Sequence, residues 1–371
     1  MRSLSEIPNV SSVTALVRAS LDVPIEGGRV IDGFRLDETL PTIAYLSARG
    51  AKVVLMGHVG RDPTNSMQPI YEYLKKKVPL LFTDDIVGPR AREAVQRLKN
   101  GEVLLLENLR RDAREVANDA GFAQQLASLG NVYVDDAFTN AHRAHASIVG
   151  VPKLIPSFAG IRFMEEVQGL TPALSPESPS LAVLGGAKLE TKLPILHALL
   201  QKYDFVFVGG ALVNDFYAAK GYEVGKSLVS GTDTTEGLLS NSKILLPEII
   251  TVSAPGGRED KPASEVLPGE TISDIPPIAL EKLKPLVAKA RMVLWNGPMG
   301  HFEGNFTEGT DALAELIANA SAKTIVGGGD TLASIQSLGL MKKFTFVSTA
   351  GGAMLDFLAN GTLPGIEALE R

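Results

Sequence analysis

Phe344-Thr-Phe-Val-Ser348-Thr349-Ala350-Gly351-Gly352-Ala353-Met354 passes from an apolar run, through small hydroxylated and glycine residues, into a helix-like stretch that ends at Asn360-Gly361. The pattern predicts a strand, a tight turn and a helix N-terminus. Free backbone N–H groups at such a helix start, uncovered because glycine has no side chain, form an anion site. The turn carries no charge, so it can hold a migrating negative group without trapping it.

The same strand, glycine turn and helix recur along the chain. Short runs rich in Val, Leu and Ile lie at Thr14 to Val17, Lys52 to Met56, Glu102 to Leu106, Val132 to Val134, Leu181 to Leu184, Phe205 to Val208, Met292 to Trp295 and Thr324 to Val326. Between them, Asp37 to Arg49, Pro89 to Lys99, Gly121 to Leu129, Leu189 to Gln201 and Gly309 to Ala320 have helical spacing. Such alternation predicts an α/β fold of parallel, doubly wound, Rossmann-like sheets covered by helices, with ligands at the carboxyl ends of the strands. At 371 residues the chain is too long for one ordinary core, and two lobes are expected. Prolines at 152, 156, 172, 176 and 179 surround an amphipathic Phe158 to Leu170, which reads as a hinge helix. The expected domains are 1–157, a helix and linker over 158–175, and 176–363. Ala254 to Pro277, rich in Pro, Gly and charge, reads as a surface loop.

Composition narrows the chemistry. A net charge of −6 argues against a general nucleic-acid binder. The absence of cysteine excludes a disulfide framework, a thiol nucleophile and Cys-ligated metals. No signal-like segment opens the chain and no run of about 18 apolar residues is present to span a membrane, so a cytoplasmic protein is expected.

Basic residues are unevenly divided: residues 1–162 hold 14 Arg and 6 Lys, and residues 163–371 hold 3 Arg and 13 Lys. In the first half Arg18, Arg35, His58-Val59-Gly60-Arg61, Arg110 and His142-Arg143 fall at or near predicted strand ends. Guanidinium forks grip carboxylate and phosphate in two places, so these loops suit a small ligand with more than one negative group. Histidines at 58, 142 and 145 stand among arginines, which disfavours a metal site. In the second half, strand ends run into Gly185-Gly186-Ala187-Lys188 with Lys192 four residues on, Gly209-Gly210, Asn296-Gly297-Pro298 with Glu303 beyond, and Gly327-Gly328-Gly329-Asp330-Thr331. Glycines let a phosphate approach the backbone, lysines offset its charge, and Asp330 is placed to hold Mg²⁺. These features suit a nucleotide. Gly221 to Ser227 is one residue too short for a P-loop, and no complete dinucleotide fingerprint opens either half.

Taken together, His58-Val-Gly-Arg61, Leu105-Leu-Glu-Asn-Leu-Arg110, Asp136-Ala-Phe-Thr-Asn-Ala-His-Arg-Ala-His145, Gly185-Gly-Ala-Lys188, Trp295-Asn-Gly-Pro-Met-Gly300, Gly327-Gly-Gly-Asp-Thr331 and Leu363-Pro-Gly-Ile-Glu-Ala-Leu369 closely resemble the phosphoglycerate kinases. The resemblance runs from about Val13 to Leu369. It implies a monomeric, two-lobed, hinge-bending glycolytic kinase that moves a phosphoryl group reversibly between ATP and the carboxylate of 3-phosphoglycerate. Its partners would be small molecules only: the acid, 1,3-bisphosphoglycerate, ATP and ADP. The acid would be held by Ser20, Leu21, Asp22, Arg35, His58, Val59, Gly60, Arg61, Arg110, His142 and Arg143. Mg-ATP would meet Gly185, Lys188, Lys192, Gly209, Gly210, Asn296, Pro298, Glu303 on the ribose, Gly328, Gly329, Asp330 and Thr331, with Asp330 near the metal. Arg35, Lys188, Gly351 and Gly352 would attend the transferring group, and the tail 364–371 would return to the first lobe. Both reacting oxygens already carry charge, so no general base is needed.

Departures from the family pattern bear on the site. Ser20 and Asp22 stand where an Asp and then an Asn are usual, Pro276 where a Gly is usual, Thr139 and Asn140 where Gly-Thr is usual, and Ala350 where Gly is usual. Ser20 shortens a side chain that meets the substrate hydroxyl; one such bond is worth about 0.5–1.5 kcal/mol, which predicts a KM for the acid raised roughly three- to tenfold. Ala350 is tolerable where its φ is negative. Two other readings follow from the same residues: an inactive nucleotide-binding relative, and a same-fold kinase for another phosphorylated acid.

Overall fold

The computed structural model describes residues 1–187, 189–230 and 236–370, apart from the side chains of Ser12, Thr191, Glu236 and Glu303. Lys188 therefore lies outside the described residues. The chain divides into one unit of Met1–Gln168 with the stretch from Thr362 onward, and a second of Gly169–Gly361.

The first unit is built on β1 (Thr14–Ala19), a small hairpin of β2 (Ile25–Glu26) and β3 (Arg29–Val30), then β4 (Lys52–Met56), β5 (Leu80–Phe82), β6 (Val103–Leu105), β7 (Val132–Asp136) and β8 (Ser157–Ala159). Six of these form one sheet in the order β5-β6-β4-β1-β7-β8, parallel throughout. Buried on both faces, its strands are almost continuously apolar. β1 and β7 carry exceptions: Arg18, Asp135 and Asp136 have no exposed surface. Because β1 pairs with β4 on one side and β7 on the other, the direction of winding reverses between β1 and β7. A crevice opens there at the carboxyl ends of the strands.

In the second unit β9 (Ser180–Leu184), β10 (Phe205–Val208), β11 (Ile244–Leu245), β15 (Met292–Asn296), β16 (Lys323–Gly327) and β17 (Phe346–Ser348) form a second parallel sheet, ordered β11-β10-β9-β15-β16-β17. Here winding reverses between β9 and β15. Between β11 and β15, β12 (Ile249–Ala254), β13 (Gly257–Pro262) and β14 (Thr271–Asp274) make an antiparallel sheet with β12 in the centre.

Two parallel-sheet α/β units match the sequence reading. The stretch Ala254 to Pro277 does not: it contains β13 and β14 and not only surface loop. β13 is Gly-Arg-Glu-Asp-Lys-Pro with four exposed residues, an edge strand whose polarity mimics a loop because one face meets water. Phe158 belongs to β8, and the helix begins at Ile161. Three-residue β5 and β8 and two-residue β11 are too short to show periodicity. Helix limits follow local signals. Asp119 accepts the Phe122 N–H at 2.7 Å and starts Ala120–Ala127. Gly361, at φ +78°, ends Gly351–Asn360.

The C-terminal helix Pro364–Leu369 packs on the first unit. Gly365 N–H donates to the Ala141 carbonyl at 2.8 Å, and Ala368 joins Ile148 and Val149 in a small apolar cluster. A β-carbon at Gly365 would stand 2.9 Å from Ala141 Cβ and 3.0 Å from its Cα. Gly365→Val is expected to destabilise the first unit by about 1–3 kcal/mol, read as an earlier urea midpoint for that unit alone.

Candidate active site

The loop after β1 carries Ser20, Leu21 and Asp22; the loop after β4 carries His58, Val59, Gly60 and Arg61; those after β6 and β7 carry Arg110, and His142 with Arg143. All lie at the carboxyl edge of the first sheet, beside the reversal between β1 and β7. Gly60 N–H donates to Asp22 Oδ1 at 2.8 Å, and His58 Nε2 stands 3.4 Å from Asp22 Oδ2. Arg35, from the short Phe34–Asp37 helix, donates to the Asp22 carbonyl, and Arg110 donates to the Gly60 carbonyl at 2.6 Å. Arg143 Nε donates to His142 Nε2 at 3.2 Å. Arg61 is exposed, and its charge, with that of Arg143, acts on Arg110.

Charge within this cluster is strongly biased. Burial pushes the Asp22 carboxyl up, but the His58 ring, the Gly60 N–H and Arg35 outweigh burial and hold it far below the usual carboxylate range. Burial, together with the guanidiniums of Arg18 and Arg110, pushes His58 down to about 4. The imidazole is neutral at pH 7. One carboxylate thus faces several guanidiniums, and the excess positive charge suits a multiply charged anion.

The structure corrects one expectation and redirects another. Arg18 does not point at a ligand: it is wholly buried in β1 and bonded to protein groups. Ser20 is 5% exposed and its hydroxyl is bonded to Thr139 Oγ1 at 2.7 Å, so the carboxylate nearest the arginines is that of Asp22. Sequence reading missed Asn108. Its buried amide donates to the Val59 and Asn65 carbonyls at 2.9 and 3.0 Å, and its oxygen accepts the Arg110 N–H at 3.1 Å, so it clamps two site loops together. Its sequence signal is a polar pair, Glu107-Asn108, directly after the apolar run that ends at Leu106.

At the carboxyl edge of the second sheet the backbone dominates. Gly185 N–H donates to the Asn296 carbonyl at 2.8 Å and Gly186 N–H to the Pro298 carbonyl at 3.0 Å. Gly297 sits at φ +97°, and a β-carbon there would lie 2.3 Å from the Gly185 carbonyl oxygen; only glycine fits. Buried Trp295 donates its indole N–H to the Gly297 carbonyl at 2.9 Å, tying this turn to the core. Gly209 and Gly210 close the same group from β10. Asn296 is buried in the last position of β15.

Two helices start in the next two turns, Gly329–Ser337 after β16 and Gly351–Asn360 after β17. A β-carbon at Gly329 would meet nothing within 4 Å, and one at Gly351 only Gly328 Cα at 3.8 Å, so both helix starts are uncovered. Thr331 Oγ1 is buried without a hydrogen-bond partner among the described residues. Uncovered amides and an orphaned hydroxyl fit oxyanions such as phosphate. Ala350 lies at φ −107°, where a methyl is tolerated as expected. Lys192 donates to the Gly185 carbonyl; burial pulls its ammonium down to about 8 against the opposing pull of Asp330. Glu303 stands in the Phe302–Gly304 turn, and its side chain lies outside the described residues. Among the described residues no three His, Asp or Glu are grouped to hold a metal by themselves. Asp330 lies in the first turn of the helix Gly329–Ser337 and lines the cavity beside these turns; a single carboxylate is a hard oxygen donor of the kind Mg²⁺ takes together with phosphate and water.

A cavity of about 470 Å³ adjoins these turns, lined by Gly186, Gly210, Asn214, Asp274, Pro298 and Asp330 among others. A larger cavity of about 730 Å³, beside β11, shares none of the site residues.

The sequence profile of the family "Phosphoglycerate kinase" matches residues 4–361. The chain belongs to the phosphoglycerate kinase family. A phosphoglycerate kinase of Thermomicrobium roseum is 40% identical over 389 residues, covering 100% of this chain and 99% of the relative. One from a Roseiflexus species is 41% identical over 381 residues, covering 97% and 96%. Among solved structures, the Pyrococcus horikoshii phosphoglycerate kinase has a TM-score of 0.89 at 33% identity over 100% of this chain and 98% of that one. That of Coxiella burnetii has 0.83 at 33%, over 99% and 98%. ATP and ADP are substrates of phosphoglycerate kinases, and the charge of Asp330 acts on the buried Lys192 ammonium.

Burial brings Lys192 to lose its proton as pH rises through about 8; with Lys192 on the nucleotide phosphates, as the resemblance implies, that loss would remove an attraction for them. ADP is therefore expected to bind up to about tenfold more weakly at pH 9 than at pH 7. Lys192→Arg, always charged, should flatten that slope in calorimetric titrations.

Proposed function

We infer that the protein transfers a phosphoryl group reversibly between ATP and the carboxylate of 3-phosphoglycerate, giving ADP and 1,3-bisphosphoglycerate, as its family membership implies. The observation that carries the assignment of roles is the segregation of two chemistries. An arginine-rich anion site lies at the winding reversal of the first sheet, and an uncharged glycine backbone site lies at that of the second.

In this reading the first unit takes the acid, with Arg61, Arg110 and Arg143 for its phosphate and His58 and Asp22 for its carboxylate and hydroxyl end. Ser20, Leu21, Val59, Gly60 and His142 shape that pocket. The second unit takes the nucleotide, with Gly185, Gly209, Gly210, Asn296 and Pro298 around the base and sugar side, Glu303 on the ribose, and Lys192 with Gly328 to Thr331 on the phosphates. Asp330 would hold Mg²⁺, which offsets phosphate charge when bound. Arg35, Lys188 and the amides of Gly351 and Gly352 stabilise charge on the group in transit. Attacking and leaving oxygens are already anionic, so the protein orients and stabilises and has no proton to move. Because acceptor and donor ligands lie in different units, turnover in this reading requires hinge bending in the connecting segment that carries the helix Ile161–Leu170, and closure also excludes water.

A cytoplasmic monomer acting on small molecules, and not on nucleic acid, completes the proposal. No helix of the described residues is long and apolar enough to cross a membrane.

The test is a coupled assay with ATP, Mg²⁺ and 3-phosphoglycerate in which 1,3-bisphosphoglycerate is read by NADH oxidation. Turnover is expected, and none at saturating substrates overturns the reading. Arg35→Ala should lower kcat by a hundredfold or more, the scale of losing one transition-state donor, with the KM for ATP changed less than about threefold. A near-normal kcat would remove Arg35 from the transfer step.

A further inference from the structure

Arg18 has no exposed surface, and each part of its guanidinium is bonded. NH1 donates to the Ala19 carbonyl at 2.6 Å, Nε to Ser147 Oγ at 3.0 Å, and NH2 lies 3.0 Å from His58 Nδ1. A guanidinium is a donor only. The bond from NH2 therefore requires a lone pair on His58 Nδ1, which leaves the ring's single proton on Nε2. That nitrogen is buried and has no hydrogen-bond partner among the described residues; the nearest acceptor, Asp22 Oδ2, is 3.4 Å away.

The guanidinium is itself held from behind. Ser147 Oγ donates to Glu115 Oε1 at 2.5 Å, Ser147 N–H donates to Glu115 Oε2 at 2.9 Å, and the Tyr133 hydroxyl donates to the Ser147 carbonyl at 2.7 Å. Glu115 is 1% exposed and supplies a buried counter-charge. A chain of contacts thus runs from Glu115 through Ser147 and Arg18 to His58, and ends at an Nε2–H that faces the Asp22 carboxylate at 3.4 Å without a well-formed hydrogen bond.

We propose that Arg18 is a positioning residue that holds His58 as the neutral Nε2–H tautomer, so that the buried imidazole offers a proton, and not a lone pair, to an oxygen of the acid substrate. In the other tautomer a lone pair would face a carboxylate or phosphate and repel it, and with the ring turned over a C–H would stand in place of the N–H donor. The depressed pKa of His58 agrees with a neutral ring. The inference rests on the placement of His58 in the acid site.

The decisive variant is Arg18→Lys, which keeps a positive charge beside Glu115 but has no fork to reach Ala19, Ser147 and His58 together. Long-range ¹⁵N NMR of histidine-labelled protein at pH 7 is expected to show Nε2–H for His58 in the wild type and a loss of that signature in Arg18→Lys. KM for 3-phosphoglycerate should rise roughly tenfold while KM for ATP stays within twofold. Arg18→Lys on a His58→Gln background should add little further. Where Arg18→Lys fails to fold, Ser147→Ala removes only the Nε anchor and should shift the same signals in the same direction by a smaller amount. An Nδ1–H or doubly protonated His58 in the wild type overturns the proposal. So do unchanged NMR and KM in the variants, and additive effects in the double variant. His58→Gln with an unchanged KM for the acid overturns the placement of His58, and with it the role claimed for the tautomer, while the NMR comparison still reads the Arg18 contact by itself.

Discussion

A parallel strand cannot return to its neighbour through a tight turn. Each step from strand to strand needs a crossover, so every carboxyl end, and every loop leaving it, collects on one edge of the sheet. The rest of this protein depends on that constraint. It gathers loops that begin at Ser20, Gly57, Leu106 and Ala137 on one edge of the first sheet, and the glycine turns after β9, β10, β15, β16 and β17 on one edge of the second. At the winding reversals, β1 to β7 and β9 to β15, two adjacent loops diverge and leave room for a ligand.

The two edges treat negative charge differently. In the first unit the attraction is built from side chains, with guanidiniums held by carbonyls of neighbouring segments: Arg110 on Gly60 and Arg35 on Asp22. In the second it is built from backbone. Gly185 and Gly297 approach one another, and Gly210 approaches Gly186, so closely that no β-carbon fits at any of Gly185, Gly210 and Gly297, and the open glycines 329 and 351 begin two helices. Fixed amides can stabilise a phosphoryl group without a counter-charge that would retain it. The uncharged turn from Ser348 to Gly352 is suited to a group that must leave in either direction.

Buried polar groups link these edges to the interior of their own units. Asn108 joins the loops after β4 and β6, Trp295 ties the Gly297 turn to the core, and Glu115, Ser147 and Arg18 reach His58 from beneath the sheet. Each such group satisfies a donor or acceptor that burial would otherwise leave costly. Each also fixes a site loop or ring, so the positions of the site loops are set within the core that carries them.

The α/β class, the strand–glycine–helix turns and the division into arginine-rich and glycine-rich halves were legible in the chain itself. They depend on residues adjacent in sequence, where apolar periodicity and the conformational needs of a turn are local. Other features were not legible. Arg18 turns inward, Phe158 belongs to a strand, the charged run from Gly257 forms an edge strand, and the Ser20 hydroxyl is taken by Thr139. Three were decided by a partner remote in the chain, Ser147 for Arg18, Tyr133 and Asp135 for β8, and a residue 119 positions away for Ser20, and β13 by pairing along its whole length with its hairpin neighbour Ile249 to Ala254. Register and burial bring such partners together only when the sheets assemble, and the bonds made there determine which way each polar side chain faces.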